Sequence, residues 1–137
     1  VFISVADRDK RAIISIAHEL VRLGFEVVST GGTAQALMAS GVSCRVVNKV
    51  GCGHPDIVDL ISQGDIDLII NTPFGRGARG DGFTLRTAAV RFGVPYATTI
   101  AAAQALATAM EVQRQQSLET IALQDLKPGC QKMHRMP

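Results

Sequence analysis

Short apolar runs alternate with stretches of helical period along most of this chain, and that alternation leaves few folds open. Val1–Val5 reads as a buried strand and Asp7-Arg8-Asp9-Lys10 as a polar turn. Ile13, Ile16, Ala17, Leu20 and Leu23 then recur at helical spacing, and Gly24 sits where a helix C-cap belongs. Phe25–Ser29, Cys44–Val47, Asp67–Asn71 and Val94–Thr98 supply four more strands. Helical stretches follow them, ending near Gly41, beginning at Ile57, and covering Thr84–Phe92 and Ala101–Val112. A βα unit repeated in this way predicts an α/β, doubly wound, Rossmann-like five-stranded parallel sheet flanked by helices, with right-handed crossovers. Leu118–Leu123 reads as a short C-terminal edge strand, and 124–137, with Pro128, Gly129 and basic residues, as a poorly ordered tail.

Composition agrees with one domain over 1–123. The chain has 137 residues and only 4% aromatics, so its core must be built from Val, Ile, Leu and Ala, as suits a parallel sheet covered on both faces. Lys127, Lys132 and Arg135 outweigh Asp125 by two, which is the whole net charge of +2. Residues 1–123 are therefore neutral, against a nucleic-acid footprint on the domain. Cys44, Cys52 and Cys130 are odd in number and fit no metal spacing, so free thiols in a reducing, cytoplasmic setting are expected. His18, His54 and His134 are scattered, and no metal or cofactor is expected. The longest apolar stretch, Ala97 to Met110, is interrupted by Thr and Gln and too short to cross a bilayer. The chain starts without Met inside a strand-like run, as a piece of a longer protein would.

The segment Ser29-Thr30-Gly31-Gly32-Thr33-Ala34 joins the second strand to the next helix. Its glycines let the backbone approach a ligand, and its hydroxyls and the unpaired amides of the new helix form a receptacle for a phosphate or carboxylate. The plainer reading is a strand-to-helix turn with Thr33 as an ordinary N-cap. In open α/β sheets ligands bind outside the carboxyl ends of the strands, where strand order reverses. Polar residues stand at each such end: Lys10, then Thr30 and Thr33, then Asn48 and Lys49, then Asn71 and Thr72, then Thr98 and Thr99.

Those residue types suit a monoester phosphate. Lysines supply point charge, threonines and helix amides supply directed donors, and no carboxylate intrudes among these positions. Asn71 is placed to read ribose hydroxyls, and Val50, Ile57 and Leu85 to sandwich a flat base. Taken singly, Lys10 and Lys49 read as surface lysines, Asn71 as the start of a turn, His54 as a loop residue, and Arg76, Arg79 and Arg86 as a solvated face. Their joint placement on one rim favours a site.

Four segments in order carry a resemblance: Val5 to Lys10, Thr30-Gly31-Gly32-Thr33, Val47-Asn48-Lys49-Val50, and Ile70-Asn71-Thr72-Pro73-Phe74-Gly75-Arg76. The chain resembles the C-terminal regulatory domain of the carbamoyl phosphate synthetase large subunit, of methylglyoxal-synthase-like fold, over roughly 1–123. The resemblance implies a non-catalytic domain that binds a nucleotide monophosphate, UMP as inhibitor or IMP as activator. It implies phosphate contacts from Lys10, Thr30, Thr33 and Lys49, a ribose contact from Asn71, and ornithine at Thr98 on the domain border. It also implies partners, the rest of the large subunit and a glutaminase small subunit, in a glutamine-dependent ligase of pyrimidine and arginine biosynthesis. Pro73 departs from the family pattern, which has a second threonine there, and Gly77 and Gly80 loosen the arginine loop.

The alternative of the same fold is a stand-alone methylglyoxal synthase, a phosphate-eliminating lyase acting on dihydroxyacetone phosphate. It needs a carboxylate base, and where that family has an aspartate after Gly-Gly, Gly51-Cys52-Gly53-His54-Pro55 offers His54, with Asp56 two positions late. The purine-synthesis cyclohydrolase domain shares the glycine turn but pairs it with a different third loop. A dinucleotide-binding module needs glycines after the first strand, where Val5-Ala6-Asp7-Arg8 has none.

Overall fold

The computed structural model describes residues 1–73 and 80–115. The expected edge strand at 118–123, the tail, and Arg76 and Arg79 lie outside the described residues. Five parallel strands form one sheet: β1 (Phe2–Ser4), β2 (Val27–Ser29), β3 (Cys44–Val46), β4 (Ile69–Asn71) and β5 (Tyr96–Ala97), in the order β3-β2-β1-β4-β5. Helices α1 (Lys10–Arg22), α2 (Gly31–Ala39), α3 (Ile57–Gln63), α4 (Asp81–Phe92) and α5 (Ile100–Gln115) fill the connections. A single 3-10 turn, Asp7–Asp9, leads into α1.

Strand pleating divides the core in two. Alternate residues of a strand face opposite sides, so Ile3, Val27 and Ile70 pack with α1, α2 and α5 through Ile13, Ile16, Leu20, Leu37, Ala103 and Ala107. Their neighbours Phe2, Val28 and Ile69 pack with α3 and α4 through Ile57, Ile61, Leu85 and Ala88. Both faces are covered, which is why the strands read as continuous apolar runs rather than alternating ones.

The strands are shorter than their apolar runs, because pairing ends where the chain turns toward a helix. The helices differ more. α4 begins at Asp81, not Thr84: the Gly80-Asp81-Gly82 stretch has turn composition, yet Phe83 N–H donates to the Gly80 carbonyl and the helix runs on to Gly93, a left-handed C-cap at φ 69°. α2 begins at Gly31, so Thr30 is its N-cap and Thr33 lies inside the first turn. The reading of Thr33 as an N-cap is thereby corrected.

Strand order reverses between β1 and β4. The chain leaves β3 at one edge and returns beside β1, with α3 now on the opposite face. At that point the backbone after β1 is held from both sides. Val5 N–H donates to the Thr33 hydroxyl (3.2 Å), and Ala6 N–H to the Thr72 hydroxyl (2.9 Å). The Thr72 amide returns a bond to the Ser4 carbonyl (3.1 Å). These contacts fix a crevice at the carboxyl end of the sheet.

Candidate functional site

A cavity of about 370 Å3 occupies this crevice. Ser4 from the end of β1, Asn71 from the end of β4 and Thr30 after β2 line it, each delivered by a strand terminus. Lys49 and Val50 reach it from the loop after β3, and Ile57 and Leu85 from α3 and α4. The expected site residues Thr30, Lys49, Asn71, Val50, Ile57 and Leu85 therefore share one cavity. Its volume lies in the usual range for small-molecule sites, about 300–1,000 Å3.

Lys10, Thr33 and Thr98 do not line it. The Thr33 hydroxyl is buried against the Val5 backbone, accepting from its N–H and donating to its carbonyl at 3.4 Å. That hydroxyl shapes the β1 turn. Lys10 is half-buried, with its Nζ 2.8 Å from Asp7 Oδ1 and 3.1 Å from where a Cβ on Gly32 would lie. It leans across the start of α2. Thr98 is exposed beyond β5.

The N-terminus of α2 is open. Thr30, 6% exposed, makes no side-chain capping bond, and among the described residues the Gly31 and Gly32 amides have no recorded partner. An ammonium beside the positive end of a helix is unfavourable unless an anion sits between them. Lys10 and α2 are so arranged, and the Lys10–Asp7 pair that occupies the ammonium is weak, since Asp7 is 85% exposed and screened.

Besides Ser4, three side chains outside the expected set matter to the chemistry of the lining. Asp81, outside the positions expected to hold the phosphate, brings a carboxylate into the cavity, and Arg86 brings a second cation. Asp81 follows from the early start of α4, one turn before its apolar period becomes visible, whereas Arg86 lies within the expected Thr84–Phe92 helix and reads from the sequence as part of a solvated face. Phe83, 58% exposed, stands on the same turn as Asp81. A Cβ on Gly82 would stand 3.2 Å from the Asn71 Nδ2, so a side chain there would make that amide shift by a few tenths of an ångström. Outside the cavity, the Tyr96 hydroxyl accepts a 2.7 Å hydrogen bond from Asn71 Nδ2.

The loop carrying Lys49 is organised by Asp56. One oxygen of this buried carboxylate accepts from the Val58 and Asp59 amides (2.8 and 3.1 Å), and the other from the Gly51 amide (2.9 Å). The Asp59 carboxylate accepts in turn from the Asp56 amide (2.8 Å), completing a capping box on α3. Asp59 also holds the His54 Nδ1 at 2.7 Å. That hydrogen bond, then the charge, raises the His54 pKa above its ordinary value, and the bond from His54 lowers that of Asp59. Asp56 is thus fully engaged, and it is not among the residues lining the cavity. Among the described residues no cluster of His, Cys, Asp and Glu could hold a metal, and no helix is long and apolar enough to cross a membrane. Cys44 and Cys52 are free thiols.

Residues 12–98 match the family described as MGS-like domain. The chain belongs to that family. It is 53% identical over 128 residues to the carbamoyl phosphate synthase large chain, C-terminal section, of Methanopyrus kandleri, covering 93% of this chain and 24% of the relative. To the carbamoyl phosphate synthase large chain of Rubrobacter xylanophilus it is 46% identical over 127 residues, covering 92% of this chain and 12% of the relative. The chain thus spans a quarter or less of the length of these relatives and is homologous to their C-terminal part. Among solved structures, methylglyoxal synthase from Elizabethkingia anophelis superposes with a TM-score of 0.64 at 18% identity, over 78% of this chain and 75% of that one. That likeness carries the fold alone: a methylglyoxal-synthase-like α/β domain.

Proposed function

We propose that the chain is the effector-binding module of a carbamoyl phosphate synthase large chain, and that its cavity takes a nucleoside 5′-monophosphate, UMP or IMP. What supports the reading most is the mix of chemistry lining one crevice. Lys49 and the Thr30 cap of an open helix suit the phosphate, with Lys10 close to the same helix end. Asn71 and Asp81 offer amide and carboxylate groups for ribose hydroxyls, and Val50, Ile57 and Leu85 offer apolar walls for a base. Each charge-assisted hydrogen bond contributes roughly 1.5–3 kcal/mol, so four or five of them, less the cost of association, reach micromolar affinity.

An effector changes an enzyme only if it binds two of its states unequally. In this reading nucleotide occupancy fixes Lys49 and its loop, and the surface beyond β5, including Thr98, passes the difference to the rest of the large chain and its glutaminase small subunit. Thr98 there meets ornithine where that second effector is used. The setting is cytoplasmic. Coupling of ~1–3 kcal/mol, or about 5- to 150-fold in affinity, is the usual size.

Calorimetric titration with UMP, IMP and inorganic phosphate tests the reading, with Thr30→Ala and Lys49→Ala as controls. Saturable nucleotide binding lost in both variants supports it; binding that ignores both substitutions sinks it. Asp81 favours one other reading, the phosphate-eliminating lyase, since it places a carboxylate in the cavity. Incubation with dihydroxyacetone phosphate separates the two: methylglyoxal release lost in Asp81→Asn would establish the lyase.

A further inference from the structure

We infer that Arg86 reads the base of the nucleotide: its guanidinium meets the O6 and N7 edge of a 6-oxopurine, so the cavity prefers IMP to AMP and to UMP. The inference rests on the nucleotide reading above and narrows it. Side chains on a helix lean toward its N-terminus, so Arg86 lies back over the turn that holds Gly82. Gly82 has no Cβ to block it. The Arg86 Nη1 is 3.7 Å from the point a Cβ would occupy, and the Asn71 amide is 3.2 Å from the same point. The missing side chain thus admits the guanidinium beside the end of β4, where it joins the lining of the cavity. Among the described residues no carboxylate pairs with it.

Its place along the crevice decides what it meets. Strand order runs β2-β1-β4, so Thr30, at the phosphate end, and Asn71 stand two strand spacings apart, about 10 Å. Arg86 belongs to the Asn71 end, where the base of a mononucleotide falls once its phosphate is at Thr30. Val50, Ile57 and Leu85 offer apolar walls to the faces of that base, which leaves its edge for a polar group. A guanidinium presents parallel N–H donors in a fixed fork. The O6 and N7 acceptors of guanine match that fork, and hypoxanthine carries the same two. Adenine puts an amino donor at position 6, donor against donor. Uracil offers a single carbonyl and leaves one N–H without a partner, a loss that hydrogen-bonding sites punish strongly.

The experiment is a calorimetric titration of the chain with IMP, AMP, UMP and inorganic phosphate, using wild type, Arg86→Ala and Arg86→Gln. The wild type should bind IMP about tenfold more tightly than AMP or UMP. Arg86→Ala should bring the three nucleotides to within about threefold of one another while leaving inorganic phosphate unchanged. Glutamine pairs with the N6 and N7 edge of adenine, so Arg86→Gln should turn the preference toward AMP; a general loss of charge or packing would weaken all three nucleotides alike. A wild type that binds AMP or UMP as tightly as IMP overturns the inference while the nucleotide reading stands. So does an Arg86→Ala variant that keeps the IMP preference, or one that loses inorganic phosphate in step with IMP. If no nucleotide binds, both fall. Arg86 is exposed and both replacements suit a helix, and circular dichroism identifies a variant that misfolds. In that event the wild type decides the question with 7-deaza-IMP, which lacks the N7 acceptor and should bind about fivefold more weakly than IMP; equal binding would overturn the inference.

Discussion

The Nζ of Lys10 lies 3.1 Å from the point that a Cβ on Gly32 would occupy. Gly32 therefore admits the lysine to the first turn of α2, and the backbone φ there is not one that demands glycine. Only the tip of a flexible side chain stands in the way of a methyl group. Gly32→Ala should fold normally and gain up to about 1 kcal/mol from helix propensity. Phosphate and nucleotide affinity should nonetheless fall, by about tenfold, as the ammonium is pushed aside. Thermal melting with phosphate titration checks both halves, and a variant that keeps full affinity would remove Lys10 from the site.

Lys49 is exposed and makes no recorded bond or ion pair through its ammonium among the described residues. Lys49→Ala should therefore leave the melting temperature within about 2 °C of the wild type. Nucleotide affinity should drop by about tenfold or more, with a shallower dependence on salt. In a full-length synthase the same substitution should abolish the nucleotide response while sparing the basal rate.

The Asp56 carboxylate serves three backbone amides while 5% exposed. Asp56→Ala removes the α3 cap and strands the Gly51 amide, and should cost about 2 kcal/mol in urea unfolding. The loop carrying Lys49 loosens with it, so nucleotide affinity should fall as well. An Asp56→Asn variant keeps an acceptor and should recover part of both.

The His54–Asp59 pair sets a pH window. His54 is raised chiefly by the Asp59 hydrogen bond, so its contribution is complete below its unfolded pKa and disappears as pH rises through the higher folded value. Asp59 is lowered chiefly by the His54 hydrogen bond, so its contribution is complete above its unfolded pKa and disappears as pH falls through the lower folded value. The pair is fully charged between the two folded values. The His54 imidazole resonances should titrate above about 6.5, the ordinary histidine value, and Asp59→Asn should lower them toward it. His54 is exposed and Asp59 keeps 32% of its side-chain surface accessible, so solvent screens the pair and the effect belongs to the loop rather than to global stability.

The course of the chain was legible where burial imposes a period. Paired residues such as Phe2 and Ile3, or Ile69 and Ile70, serve opposite faces of a covered sheet, so five strands stand out as apolar runs. Thr30, Lys49 and Asn71 were legible because the end of each strand is fixed by topology. The start of α4 was not, because Gly80-Asp81-Gly82 carries turn chemistry. Asp81 escaped the sequence for that reason. The capture of the Thr33 hydroxyl by Val5, and of Asn71 by Tyr96, spans 28 and 25 residues. No local pattern encodes either, since each arises only when separate strands and helices meet.

In the proposed function a nucleotide phosphate settles at the open end of α2 beside Lys49. Backbone amide NMR spectra recorded during a UMP titration test it residue by residue. Saturable shifts are expected at Gly31, Gly32 and Lys49, reproduced in part by inorganic phosphate and lost in Lys49→Ala. Shifts confined to the opposite edge of the sheet, around Gly64 and Gly93, or no shifts at all, would contradict it.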